Sequence, residues 1–273
     1  MTARRSPSES RQGRDSHRTR GIVSRSLARL RRDPFLLVPF ALAGVVLAIL
    51  DFLHRGDPVP AIEHGGLGEH TVNVEYAGYP TGLRQATVPL ESLLGLELPY
   101  LLWGGGLYVL GLLAVTVAGA VTIRRALTGE TSIDIDAVTS LFGFVVAMDL
   151  LQRALGSVDL LQGMGLLLGI PVLVLYFYVM VRLFVTPGLL VAGWGPRAAI
   201  RGSDRLTTGA GWSIAGVVVL LGVAAWLLGS VPAIGAFPST AVVAPIHAVA
   251  IVSVLERKNV AGTLAGSDRS DGG

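Results

Sequence analysis

The groups in this chain with the capacity for chemistry lie mostly inside apolar runs. Asp149 and Arg153 are four residues apart in the run 138–155. On a helix that spacing puts both on one face and permits an ion pair. A charge within a bilayer costs several kcal/mol and marks a functional candidate. Two readings stand: a proton or substrate site, or a local pair near the membrane surface with Arg153 snorkelling towards water. Gln152 forms part of this candidate in-membrane polar site, Gln162 adds polarity across the next turn, and Asp51 near the end of the first run can join it. Arg182 sits where the fourth run ends, placed either to anchor headgroups or to line a path. His247, near Pro245 in the last run, has no partner in register and reads as a packing histidine before it reads as a proton carrier.

Other constellations are weaker. His54, His64 and His70 share a polar segment with Asp57, Glu63 and Glu69, but the spacing fits no zinc signature. Asp134 and Asp136 read as helix-start signals. No GxSxG, phosphate-binding loop, dinucleotide fingerprint or HExxH occurs, and there is no cysteine. These residues call for no catalytic centre, metal or cofactor. Arg197, Arg201 and Arg205 are spaced by four and fall on one helical face. A short helix of that polarity, opened by Pro196 and closed by Gly209, lies at a membrane surface and meets anionic headgroups. Arg182, Arg197, Arg201 and Arg205 are therefore the candidate lipid contacts.

The elements that must position these groups are membrane spans. The chain has 273 residues, 51% of them hydrophobic and 15% charged, and a mean hydropathy of +0.61. A soluble domain carries about 25% charged residues. Apolar runs of transmembrane length recur and predict an all-α, polytopic bundle of six spans, at about 34–53, 96–123, 138–155, 160–184, 212–231 and 240–255. The membrane domain so defined covers 34–256. Before it, 1–33 is an Arg-rich tail: about 1–20 reads as disordered, and 21–33 as a short interfacial helix with Ile22, Leu27 and Leu30 on its apolar face. Residues 257–273 read as a disordered tail. The loop 54–92 carries alternating stretches at 70–76 and 83–88 around Ala77–Gly82, which predicts a β-hairpin-like element. Pro171 predicts a kink in the fourth span, and 184–193 a broken or interfacial piece after it. Gly165 with Gly169, and Ala114 with Ala118, predict close helix contacts.

Charge sets an orientation. Of the 22 basic residues, all but Lys258 arginine, eighteen fall in 1–33 and in segments on the same side of six spans. Arg55, Arg84 and Arg153 fall on the other side, and Arg182 near the basic side. The positive-inside rule then predicts a cell-membrane protein with cytoplasmic N- and C-termini and an extracytoplasmic 54–92 loop. The net charge of +3 belongs to this asymmetry and calls for no nucleic acid.

One stretch has a familiar pattern. Arg182-Leu183-Phe184, Pro187, Gly193 and Gly195-Pro196, Ala199, Ser203, Leu206-Thr207 and Gly209 resemble a signature of uncharacterised multi-span proteins related to the membrane domain of glycerophosphodiester phosphodiesterases. The likeness covers about 170–258. It departs at Ala192, where that pattern often has an acidic residue. It implies a membrane architecture and says little about activity, because the catalytic barrel of those enzymes is a separate soluble domain with no counterpart in these residues. The expected role is that of a non-enzymatic membrane protein that interacts with lipid or serves as an assembly partner. The alternative is a small transporter with Asp149, Gln152 and Arg182 along its path.

Overall fold

A computed structural model describes residues 7–56, 62–63, 78–82, 86–87, 97–132, 134–156, 165–231 and 234–257. Six helical segments are long and apolar enough to cross a membrane: Pro34–Arg55, Leu98–Thr128, Ile135–Arg153, Ile170–Val191, Gly211–Gly229 and Ala236–Arg257. The predicted helical bundle and its span count are present, with shifted boundaries.

Helix α1 runs Pro7–Arg32, where the sequence predicts disorder to about residue 20 and a short surface helix thereafter. Tertiary contact accounts for the difference. Ile22, Ser26 and Leu30, spaced by four, are buried where α1 packs on the helices α8 (Gly211–Gly229) and α10 (Ala244–Arg257). Thr19 Oγ1 donates to the Ser213 carbonyl at 3.1 Å. Leu27 is left exposed, so the face that docks is not the predicted Ile22, Leu27 and Leu30 face. The residues of α1 beyond the docked part gain a helical template that composition alone does not supply.

After a short 3-10 turn, Pro34–Leu36, α2 spans Val38–Arg55. Helix α3 runs Leu98–Thr128. It continues past the predicted end at 123 because Arg124 and Arg125 are good helix formers. Its stop is Gly129, at φ +80°, the left-handed conformation that ends helices. Asp134 Oδ1 accepts from the Asp136 backbone N–H at 3.0 Å, and α4 follows over Ile135–Gly156, as the two aspartates predict.

Helix α5, Gly165–Leu183, passes through Pro171 without ending. The helix breaks at Phe184–Val185, at the start of the predicted broken piece, and α6, Thr186–Val191, resumes. All six residues of α6 are buried; it is not an interfacial piece but the core-facing end of the fourth span. Gly193, at φ +86°, closes α6 with a reversal in which the Gly193 and Trp194 N–H groups bond the Leu190 and Leu189 carbonyls, both at 3.0 Å. Helix α7, Pro196–Thr207, lies between this turn and α8. The last span is α9 (Ala236–Pro238), a π-helical stretch Ser239–Val243, and α10. Pro245 has no N–H to offer the Ala241 carbonyl, so the regular ladder is interrupted here and the wider turn takes up the mismatch. Helix α10 is the centre of the bundle. Ala244, Ala248, Val249, Ala250, Ile251 and Val252 are fully buried, and small side chains let neighbouring backbones approach it closely.

The predicted hairpin between 70–76 and 83–88 is not present as drawn. Residues 70–76 lie outside the described residues. Ala86–Thr87 pairs antiparallel with Ile62–Glu63 instead, as Ile62 with Thr87 and Glu63 with Ala86. Two-residue pairing of this kind has no stability of its own. The tail from 258 onward also lies outside the described residues.

One end of the bundle is tied by charge. Arg29 Nη1 contacts Glu256 Oε1 at 2.6 Å, and its Nη2 donates to the Ala126 carbonyl. Arg125 donates to both carboxylate oxygens of Asp33, at 2.8 and 3.1 Å, and lies over the Phe35 ring. The hydrogen bond from Arg125 holds the Asp33 carboxyl below its ordinary value of 3.8. A carboxyl depressed in the folded state contributes stability above its unfolded value and loses it as pH falls through the folded one. Both partners are partly exposed, so screening by solvent keeps the contribution of the pair small. Asp33→Asn is expected to lower the unfolding temperature at pH 7. The gap from wild type closes below about pH 4; thermal unfolding in detergent across that range measures it.

Candidate functional site

Two polar clusters sit in the apolar frame. The first surrounds Asp149, which is buried in α4. Arg153 Nε donates to Asp149 Oδ2 at 2.7 Å, the i,i+4 pair predicted from spacing. Tyr108 of α3 donates to the same oxygen at 2.6 Å, and the Arg153 guanidinium lies 4.8 Å from the centre of the Tyr108 ring. Tyr79 donates to Asp149 Oδ1 at 3.2 Å. The charge is thus neutralised by one guanidinium and solvated by two phenols from separate segments, which is what a carboxylate removed from water needs. Gln152 does not join. It is half-buried and makes no hydrogen bond among the described residues, while Gln162 lies outside them.

Tyr79 is the unexpected member. It belongs to Gly78–Gly82, a non-helical segment of the long loop, and Gly78, Tyr79, Pro80 and Gly82 are all buried. A Cβ on Gly78 would stand 2.6 Å from Met148 Cε and 2.8 Å from Met180 Sδ. A Cβ on Gly82 would stand 2.3 Å from the Thr240 nitrogen. Met180 lies midway along the fourth span, so the segment enters the bundle between the third, fourth and sixth spans. Irregular backbone at such depth is tolerated only where protein encloses it. The one signal in the sequence is the pair of glycines around Tyr79-Pro80-Thr81, which reads equally as a surface turn. Tyr108, an aromatic residue within a span, carries no signal of its own.

The second cluster fixes α7. Ser203 Oγ donates to the Arg182 carbonyl at 2.6 Å and accepts from the Val185 N–H at 3.2 Å, which satisfies backbone groups freed by the break between α5 and α6. Arg182 pairs with Asp204 at 3.1 Å, donates to Thr208 Oγ1 at 2.7 Å and covers the Tyr178 ring. It is a clamp on the end of α7, and the candidate headgroup contact is engaged with protein. Ala199, Ser203 and Thr207, spaced by four, are buried, so this face of α7 turns to the bundle. Arg197, Arg201 and Arg205 are all exposed on the other side and make no ion pair among the described residues. Ile200 beside them and Trp212 after them, the latter 82% exposed, give this face an apolar margin.

His247 stacks on Phe184 with ring centres 5.1 Å apart, as a packing histidine should, yet its Nε2 has no hydrogen-bond partner among the described residues. Of the histidines considered for a metal, His64 and His70 lie outside those residues.

Removing one partner of a buried pair strands the other. Asp149→Ala is therefore expected to cost roughly 3–5 kcal/mol. Tyr108→Phe, which leaves Arg153 in place, is expected to cost about 1 kcal/mol. Denaturant unfolding of the purified variants orders them, and equal losses would remove the charge argument. No protein-family model matches the chain, and no curated protein or solved structure matches it significantly.

Proposed function

We propose that this protein is a non-enzymatic, multi-pass protein of the cell membrane whose α7 binds anionic lipid headgroups, as a lipid-organising factor or assembly partner. The observation that carries the reading is the division of α7 into two faces. Ala199, Ser203 and Thr207 are buried against the bundle, while Arg197, Arg201 and Arg205 are exposed together. A cation cluster held open at a membrane surface attracts anionic lipid at about 1 kcal/mol per basic residue. The aromatic Trp212 at the start of the following span fits an interfacial level. The resemblance of Arg182–Gly209 to membrane domains related to glycerophosphodiester phosphodiesterases is compatible with a lipid role. The transporter alternative has less support, because Arg182 is tied to Asp204 and Thr208, apart from Asp149, and Gln152 stays outside the cluster.

The proposed orientation puts both termini in the cytoplasm. It draws support from the arginine asymmetry and from the meeting of α1, the end of α3 and the end of α10 at one end of the bundle through Arg29, Ala126 and Glu256.

The chain with Arg197, Arg201 and Arg205 all changed to Ala should retain anionic lipid on purification at least about tenfold less than wild type, allowing for salt screening of ~1 kcal/mol per residue. Mass spectrometry of bound lipid gives the ratio, and an unchanged ratio removes the lipid reading. Because the chain has no cysteine, single thiols report topology cleanly. In intact cells Gly56→Cys should react with an impermeant maleimide and Glu130→Cys should not; the reverse pattern inverts the orientation.

A further inference from the structure

The segment Gly78–Gly82 is a piece of loop seated among helices, and its seat has the properties of one that can be vacated. Asp149 already receives its two shortest hydrogen bonds from Tyr108 and Arg153, at 2.6 and 2.7 Å, whereas Tyr79 stands at 3.2 Å. The carboxylate therefore stays paired when Tyr79 leaves. The walls that meet Gly78 are the ends of two methionines, Met148 and Met180, unbranched side chains that fill irregular space and can move into a vacated one. The wall that meets Gly82 is the π-helical stretch at Thr240. Such turns are local departures from regular winding that frequently mark functional positions. Thr240 Oγ1 is buried there without a hydrogen-bond partner among the described residues. A buried hydroxyl left unpaired is destabilising, and the docked arrangement leaves this one unsatisfied at the contact that holds the loop.

We propose that Gly78–Gly82 is a reversible plug, docked in this state, whose withdrawal opens a cleft from the loop's side of the membrane. The cleft is lined by Met148, Met180, Asp149 and Thr240. Tyr79 is the latch, and Gly82 is the residue whose missing side chain permits docking. The proposal does not rest on the lipid reading of α7, since none of Tyr79, Gly82, Asp149 and Thr240 belongs to that helix.

The test uses the full chain in nanodiscs, with Thr81→Cys as its only thiol and an impermeant maleimide as probe. Thr81 is half-buried in the docked segment, and among the described residues its hydroxyl bonds only the adjacent Gly82 carbonyl. Labelling should be at least about tenfold slower than at Gly56→Cys, since a docked segment reacts only through local opening. Adding Gly82→Ala, whose Cβ has no room beside Thr240, or Tyr79→Phe, which removes the latch hydroxyl, should each raise the Thr81→Cys rate towards that of Gly56→Cys. The helical circular dichroism should not change. Fast labelling of Thr81→Cys alone overturns the proposal, because the segment is then not seated. A folded Gly82→Ala protein that labels no faster overturns it as well. Where Gly82→Ala does not accumulate as folded protein, Tyr79→Phe decides alone, and a rate equal to that of Thr81→Cys overturns the proposal.

Discussion

A carboxylate inside an apolar bundle has to be neutralised and solvated by protein, and Asp149 imposes that demand on three parts of the chain at once. Arg153 can meet it locally, one helical turn away. Tyr108 can meet it only if α3 packs beside α4, and Tyr79 only if the long loop enters the bundle. The loop's path follows in turn. To reach Asp149 it must pass Met148 and Met180 on one side and Thr240 on the other, where Gly78 and Gly82 leave no space for a side chain. The sixth span meets it with a π-helical stretch at Ser239–Val243, next to Pro245.

The same requirement, that backbone polar groups be satisfied away from water, governs the other irregular place. Between α5 and α6 the helix ladder is broken within a span. Ser203 fills the gap by donating to the Arg182 carbonyl and accepting from the Val185 N–H. Phe184 at the break is fully buried and stacks on His247 of the central helix. A serine and a phenylalanine thus perform jobs that are purely structural, and most residues of the Arg182–Gly209 pattern follow suit. Gly193 and Gly209 adopt positive φ, Pro187 and Pro196 open α6 and α7, and Ala199 is the contact point of α7. The pattern encodes a way of ending one span and laying a short helix against it.

Six spans were legible because each is a long apolar run, and the Asp149–Arg153 pair because helical spacing fixes it. Two features were not legible, the α1 helix and the entry of the loop into the bundle. The α1 helix depends on Ile22, Ser26 and Leu30 finding α8 and α10, and composition over the tail holds no record of that contact. The break at Phe184–Val185 falls at the start of 184–193, the stretch read as a broken piece, two residues before Pro187; Pro171 sits within α5 without ending it. Proline's demand for a free carbonyl four residues back is met differently according to what surrounds it. The entry of Gly78–Gly82 pairs residues about seventy positions apart through one hydrogen bond, and period-two alternation in the flanking residues points to a hairpin instead.

Fixing α7 by its buried face has a consequence for the exposed one. A basic helix that floats on a membrane rotates until its charges and apolar residues are both satisfied. Here the rotation is set from within, by Ser203 and Thr207 on the bundle and by Arg182 bridging to Asp204 and Thr208. Arg197, Arg201 and Arg205 are therefore held in register with one another before any partner arrives, and the ordering cost that a flexible basic segment meets on binding is already met in folding. Ser203 also bonds the backbone at the break in the fourth span, directly before α6. That helix is buried against the central α10, where Gly188 leaves no room between Ile251 and Leu255. α7 is thus joined to the core through the Ser203 hydroxyl and, by way of α6, the Gly188 contact.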